Sequence, residues 1–158
     1  MFIYRLARAL DDHRVSYAIV GGYAVALQGA VRGTVDVDIA IRISKKDFLA
    51  VEEALKSMQL ESRLPIDAAE VFEFREEYIR KRNLIAWSFF NPKKPIEVVD
   101  VLLTQDVSRM KVDRIPSGAV TLNVASIDDL IRMKSEAGRP QDLADIEALK
   151  NLKKGSRR

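Results

Sequence analysis

The sequence predicts an α+β fold, a mixed β-sheet flanked by helices and closed by a C-terminal helical pair. Three observations carry this. Short apolar runs at residues 15–20, 35–43, 84–90, 96–103 and 120–124 are separated by segments of helical period. The turn chemistry of Asn91-Pro92-Lys93-Lys94-Pro95 joins two of those runs as a hairpin. Near the C-terminus, a helix opened at Ser126 is ended by Gly138, and Pro140 opens another at once.

The elements follow in order. Residues 2–12 place Ile3, Leu6, Ala7 and Leu10 on one helical face, and His13 ends that helix. Residues 15–20 read as a buried strand and 22–28 as a short helix stopped near Gly29. Residues 35–43 alternate as a second strand. Ser44, with Asp47 three residues on, caps a helix to about Met58. Residues 60–81 carry the least pattern: Pro65 breaks them, 71–74 suit a strand and 76–82 a helical turn. Residues 84–90 and 96–103 are the hairpin arms, with Trp87, Phe89 and Phe90 as core or hairpin packing. Residues 120–124 form another strand. Ser126-Ile127-Asp128-Asp129 is an N-cap with an acidic first turn, opening a helix to about Ala137. Pro140 starts the last helix, to about Leu152.

The 158 residues suit one domain over 1–158, with a core at about 15–124, helices at about 126–152 and a disordered tail at 153–158. No apolar run approaches a membrane span, and Met1-Phe2-Ile3-Tyr4-Arg5 lacks a signal-peptide pattern, so no membrane partner is expected. The absence of cysteine excludes disulfides and thiolate metal sites, and a reducing, cytoplasmic setting is the natural expectation. A net charge of +3 does not single out a nucleic-acid binder. The basic clusters at 80–82, 93–94 and 153–158 read as solvated faces that would also attract a polyanion.

Chemistry concentrates in two stretches. Gly21-Gly22 follows the apolar run Tyr17-Ala18-Ile19-Val20, and amides of such a strand-to-helix turn can cradle a phosphate. Asp36 and Asp38 then share one face of a strand, their Cα atoms roughly 6.5–7 Å apart. Val35, Val37, Ile39 and Ile41 take the opposite face. Two such acids suit one cation or a pair of them; the plainer reading is a half-exposed strand. Neither Gly-x-Gly-x-x-Gly nor a Gly-Lys-Ser/Thr loop is present, which disfavours a Rossmann site and a P-loop. Asp100 interrupts the apolar run Val98-Val99-Asp100-Val101-Leu102-Leu103, where an acid needs a cation or hydrogen bonds. Glu97, nearer the turn, is expected to be exposed.

This combination resembles the DNA polymerase β-type nucleotidyltransferase superfamily. The longer string Gly-Gly-x-Ala…Gly…Arg-x-Thr-x-Asp-x-Asp, with Lys134 and Arg139-Pro140-x-Asp142-Leu143-x-Asp145, resembles minimal AbiEii-type, abortive-infection toxin-like nucleotidyltransferases. The resemblance implies transfer of NMP from a bound NTP to an acceptor hydroxyl or phosphate, with Mg²⁺ (or Mn²⁺) as cofactor. It makes Asp36, Asp38 and Asp100 the catalytic, metal-holding acids. It makes Gly21, Gly22, Arg32, Thr34, Lys134, Asp142 and Asp145 nucleotide-binding residues. The acceptor stays open among an RNA end, slightly favoured by the basic clusters, a protein and a small molecule of the antibiotic type. An antitoxin or partner protein is a further expectation, and a non-catalytic nucleotide-binding or partner-binding role is the alternative.

Overall fold

The computed structural model describes residues 1–30 and 36–156. The elements are α1 (Phe2–Asp12), β1 (Tyr17–Val20), α2 (Gly21–Leu27), β2 (Val37–Ile41), α3 (Lys45–Ser57), β3 (Glu61–Ser62), α4 (Ala68–Glu73), α5 (Arg75–Arg82), β4 (Ala86–Asn91), β5 (Lys94–Asp106), β6 (Val112–Ser117), β7 (Val120–Ala125), α6 (Ile127–Ala137) and α7 (Pro140–Ser156). A 3₁₀ turn, Val107–Arg109, links β5 to β6. Among the described residues the strands form one sheet in the order β3-β4-β5-β2-β1-β7-β6. β2 runs parallel to β5 and β1 parallel to β7, while β1–β2, β3–β4, β4–β5 and β6–β7 are antiparallel. The sheet is therefore mixed, as expected.

Register decides which side chains share a face. Val37 pairs with Val99 and Ile39 with Val101 across β2–β5, and Trp87 and Phe89 of β4 pair with Val101 and Val99. All six are fully buried, and Phe48 of α3 stacks on Trp87 at 6.1 Å between ring centroids. That face is the apolar one, covered by α3 with α1 and α4 beside it. The residues between them, Asp38, Ser88 and Asp100, are consequently turned to the other face. There α6 packs against α2 and pairs with α7.

Local chemistry explains the well-predicted boundaries. The Ser44 hydroxyl accepts from the Asp47 amide and the Ser126 hydroxyl from the Asp129 amide, both N-caps. Gly138 closes α6 in the left-handed region, φ +65°, which an L side chain resists. Pro140 then opens α7 where its missing N–H costs nothing.

Three expectations need correction. Residues 71–74 lie in and just after helix α4 and form no strand. Asp67 caps that helix by accepting from the Glu70 amide, and Val71 and Phe72 turn onto α3, with Phe72 edge-on to Phe48 at 5.5 Å. Glu97 is buried, because Asn91 and Arg5 donate to its two oxygens. Residues 153–156 continue α7, where a frayed tail was expected; Lys153 is tied to Asp128 of α6. β6 carries no sequence expectation at all. It is a half-exposed edge strand containing Pro116, which shows no clean alternation. No helix among the described residues is long and apolar enough to cross a membrane.

Candidate active site

Asp38 and Asp100 are direct register partners on β2 and β5, and Ser88 on β4 is the register partner of Asp100. Three polar side chains thus stand in a row across three adjacent strands. Ser88 donates to Asp100 Oδ1 at 2.5 Å. On the other flank Val20 pairs with Asp38, so the chain leaves β1 beside the Asp38 carboxylate. The next residue is Gly21, at φ +68°. A Cβ there would sit 2.2 Å from Asp38 Oδ2, so the position excludes any side chain. Gly22 is the second residue of α2, directly behind that contact.

The electrostatics follow from this crowding. Burial pushes the Asp38 carboxyl up to about 7. The Asp100 charge, a hydrogen bond with the Asp100 carboxyl and the Asp36 charge act in the same direction, and Lys134 opposes them. Asp36 itself is exposed and sits one residue ahead of β2.

The opposite wall comes from the helical pair. Lys134 of α6 is 6% exposed, with its Nζ 2.8 Å from Asp145 Oδ2 and 3.4 Å from Asp142 Oδ1. Asp142 is fully buried. Arg139 donates to it from Nε at 2.8 Å, from Nη2 at 3.2 Å and from its main-chain amide at 3.0 Å. These hydrogen bonds hold the Asp142 carboxyl below the usual carboxylate range and raise the Arg139 guanidinium above its own. The i, i+3 spacing of Arg139 and Asp142 at the start of α7 makes this a capping fork as well as an ion pair. Between the two walls lies a cleft of about 540 Å³. Gly21, Asp38 and Asp100 line one side, Lys134, Arg139 and Asp142 the other, and Ile85, Leu102 and Met133 form an apolar flank.

Of the residues singled out in sequence, the fold brings Gly21, Asp38, Asp100, Lys134 and Asp142 to this cleft, with Asp145 just behind Lys134. Arg32 and Thr34 lie outside the described residues. Ser88 and Arg139 were not among the candidate site residues. Ser88 is the lone polar position between Trp87 and Phe89, and Arg139 precedes Asp142 by one turn; those were the available signals. Among the described residues, no group of three or more His, Cys, Asp or Glu is placed to hold a metal ion. The Asp38–Asp100 pair nonetheless suits a cation, since bound positive charge would offset the burial and the repulsion that lift Asp38, and Asp36 adds to the same field.

With this geometry in view, the sequence matches over residues 3–154 the family described as nucleotidyltransferases of unknown function (DUF6036). The chain belongs to that family. Solved nucleotidyltransferase structures share the fold of this nucleotidyltransferase. Lincosamide antibiotic adenylyltransferase LnuA, bound to lincomycin, aligns with TM-score 0.61 at 13% identity over 96% of each chain. Antibiotic-resistance factor ANT(2″)-Ia aligns with TM-score 0.61 at 12% identity, over 96% of this chain and 80% of that one. An antigenic nucleotidyltransferase-like protein from Paracoccidioides brasiliensis aligns with TM-score 0.58 at 20% identity, over 93% and 72%. No curated protein matches the sequence. The superfamily expected from the motifs is therefore the right one, and the narrower likeness to abortive-infection toxins rests on those motifs alone.

Proposed function

We propose that the cleft binds a nucleoside triphosphate and transfers its nucleoside monophosphate to an acceptor hydroxyl, releasing pyrophosphate. The observation that carries this is the registered pair Asp38–Asp100 with the side-chain-free Gly21 against it. A Mg²⁺ or Mn²⁺ ion held by Asp38 and Asp100, with Asp36 drawn in once the ion is bound, would neutralise phosphate charge and stabilise the attacking and leaving oxygens. The Gly21-Gly22 turn lets phosphate oxygens approach the main chain at the start of α2. Lys134 and Arg139 supply positive charge on the facing wall, and Asp142 and Asp145 fix where those cations sit. Asp100, which accepts a hydrogen bond from Ser88, would take the proton of the attacking hydroxyl. Positioning and charge neutralisation do most of the work in such transfers.

A small molecule suits the acceptor side best. The cleft volume falls in the range of small-ligand sites, and its apolar flank is bordered by Thr104, Gln105 and Glu136. LnuA and ANT(2″)-Ia are named for antibiotics, which points the same way. An RNA end is the second reading, favoured by the exposed Arg80-Lys81-Arg82 at the end of α5, just ahead of Ile85 on the cleft rim. A toxin–antitoxin role draws only on the sequence likeness. The test is incubation with labelled NTPs, Mg²⁺ or Mn²⁺ and a panel including tobramycin, lincomycin and total tRNA. Label transfer that disappears in Asp38→Asn and Asp100→Asn supports the reading. NTP binding without transfer points to a non-catalytic sensor, and transfer that persists in both variants overturns the site.

A further inference from the structure

A second polar cavity lies at the far end of the strand pair that carries Asp38. The β1–β2 register places Val20 against Asp38 at one end and Tyr17 against Ile41 at the other. Around Tyr17 opens a cavity of about 410 Å³, lined also by Asp11, Ser16, Arg42, Arg114 and Thr121. It shares no lining residue with the catalytic cleft.

Two features of its wall are unexplained by the fold. Tyr17 is 2% exposed, yet its hydroxyl has no hydrogen-bond partner among the described residues. Burial raises its pKa, and the nearby Asn123 main chain, short of good hydrogen-bond geometry, offsets this only in part. Buried hydroxyls are normally satisfied, so the proton of this one calls for an acceptor inside the cavity. The second feature is charge. Arg114 faces Asp11, but Arg42 makes no ion pair among the described residues. The cavity thus offers two guanidinium groups against one carboxylate, ringed by hydroxyls.

We propose that this cavity binds a small phosphate monoester carrying hydroxyl groups, such as a sugar phosphate. Arg42 and Arg114 would grip the phosphate, since the guanidinium fork matches its oxygens. The Tyr17 hydroxyl would donate to a ligand oxygen, and Asp11 would accept from a ligand hydroxyl. A water molecule alone would satisfy Tyr17 but would leave Arg42 without an anion. The inference is independent of the nucleotidyl-transfer reading, because it uses none of the cleft residues.

The experiment is calorimetric titration of the full-length, metal-free protein with ribose 5-phosphate, with inorganic phosphate and ribose as separate probes. Saturable binding of ribose 5-phosphate at one site per chain is expected, stronger than either fragment. Arg42→Ala and Arg114→Ala should each weaken it by about 10-fold or more, the scale of a charge-assisted contact. Tyr17→Phe should weaken it by about 2- to 10-fold, with thermal melts confirming that the variant is folded. Asp38→Asn should leave it unchanged. No saturation at millimolar ligand, equal binding in the three cavity variants, or loss in Asp38→Asn would each overturn the proposal. So would a ligand-soaked crystal with only water at Tyr17.

Discussion

Asp38 on β2 lies directly opposite Asp100 on β5, so two carboxylates far apart in sequence meet as neighbours across parallel strands. Their faces are set by what is buried behind them: Val37, Ile39, Val99 and Val101 fill the core side. The acids can turn only toward the cleft. The fold therefore builds in a repulsion that a cation or a proton would relieve.

Burial of Asp38, with that repulsion added to it, predicts a pH dependence. The folded pKa of Asp38, about 7, lies above the ordinary aspartate value of 3.8. A carboxyl whose pKa rises on folding favours the folded state when protonated, so its contribution is present at low pH and is lost as pH rises from about 4 to about 7. The ceiling is about 4 kcal/mol, and coupling to Asp100 lowers it. Thermal melts in EDTA at pH 5 and pH 8 should show a smaller gap in Asp38→Asn than in wild type. Mg²⁺ should raise the wild-type melting temperature at pH 8 more than that of the variant. An identical pH response in the two proteins would count against the raised carboxyl.

Gly21→Ala tests the close approach. The new methyl would collide with Asp38 Oδ2 in a backbone region that L residues resist. The φ strain alone costs about 1–2 kcal/mol, and displacing Asp38 adds to it. Nucleotidyl transfer should fall by about 100-fold or more if reacting atoms shift by about 1 Å. Denaturant melts and an activity assay read the two effects separately.

Lys134→Met should destabilise by about 3–5 kcal/mol, because it strips a buried cation from between two buried carboxylates, of which Asp142 keeps Arg139. Adding Asp145→Asn to Lys134→Met should recover part of that loss, since one of the two buried negative charges is gone. Urea unfolding of the single and double variants checks the coupling. Additive effects would show that Lys134 and Asp145 do not act as a pair.

Glu97→Ala probes a site with no expected catalytic part. It removes the acceptor for Asn91 and Arg5 at the turn end of the β4–β5 hairpin, leaving the buried Asn91 amide without its partner. A loss of about 1–3 kcal/mol is expected, with kcat and KM unchanged for whichever acceptor the protein uses. A change in kcat at full folding would connect this end of the sheet to catalysis.

Much of the fold was legible where one residue type answers one local requirement. Ser44 and Ser126 announce helix starts, Gly138 a helix end, and the 91–95 turn a hairpin, because caps and turns are short-range chemistry. Residues 71–74 misled because Val71, Phe72 and Phe74 suit either a strand or a helix face. The Asp67 cap and the Phe48 ring, which settle the question, lie outside the window. Glu97 misled because its partners come from α1 and from the other arm of the hairpin.

The candidate site divides along the same line. By itself the sequence determined the ingredients: two glycines ending an apolar strand, Asp36 and Asp38 two residues apart where the next strand begins, and Asp100 inside an apolar run. Those follow from strand period and backbone sterics, which are properties of neighbouring residues. Only the tertiary structure decided that Asp38 faces Asp100, that Gly21 is pressed against Asp38, that Ser88 holds Asp100, and that Lys134 is locked between Asp142 and Asp145. Strand register and helix docking are set by burial of the apolar face across the whole sheet, and that long-range packing is not written in any single stretch of the chain.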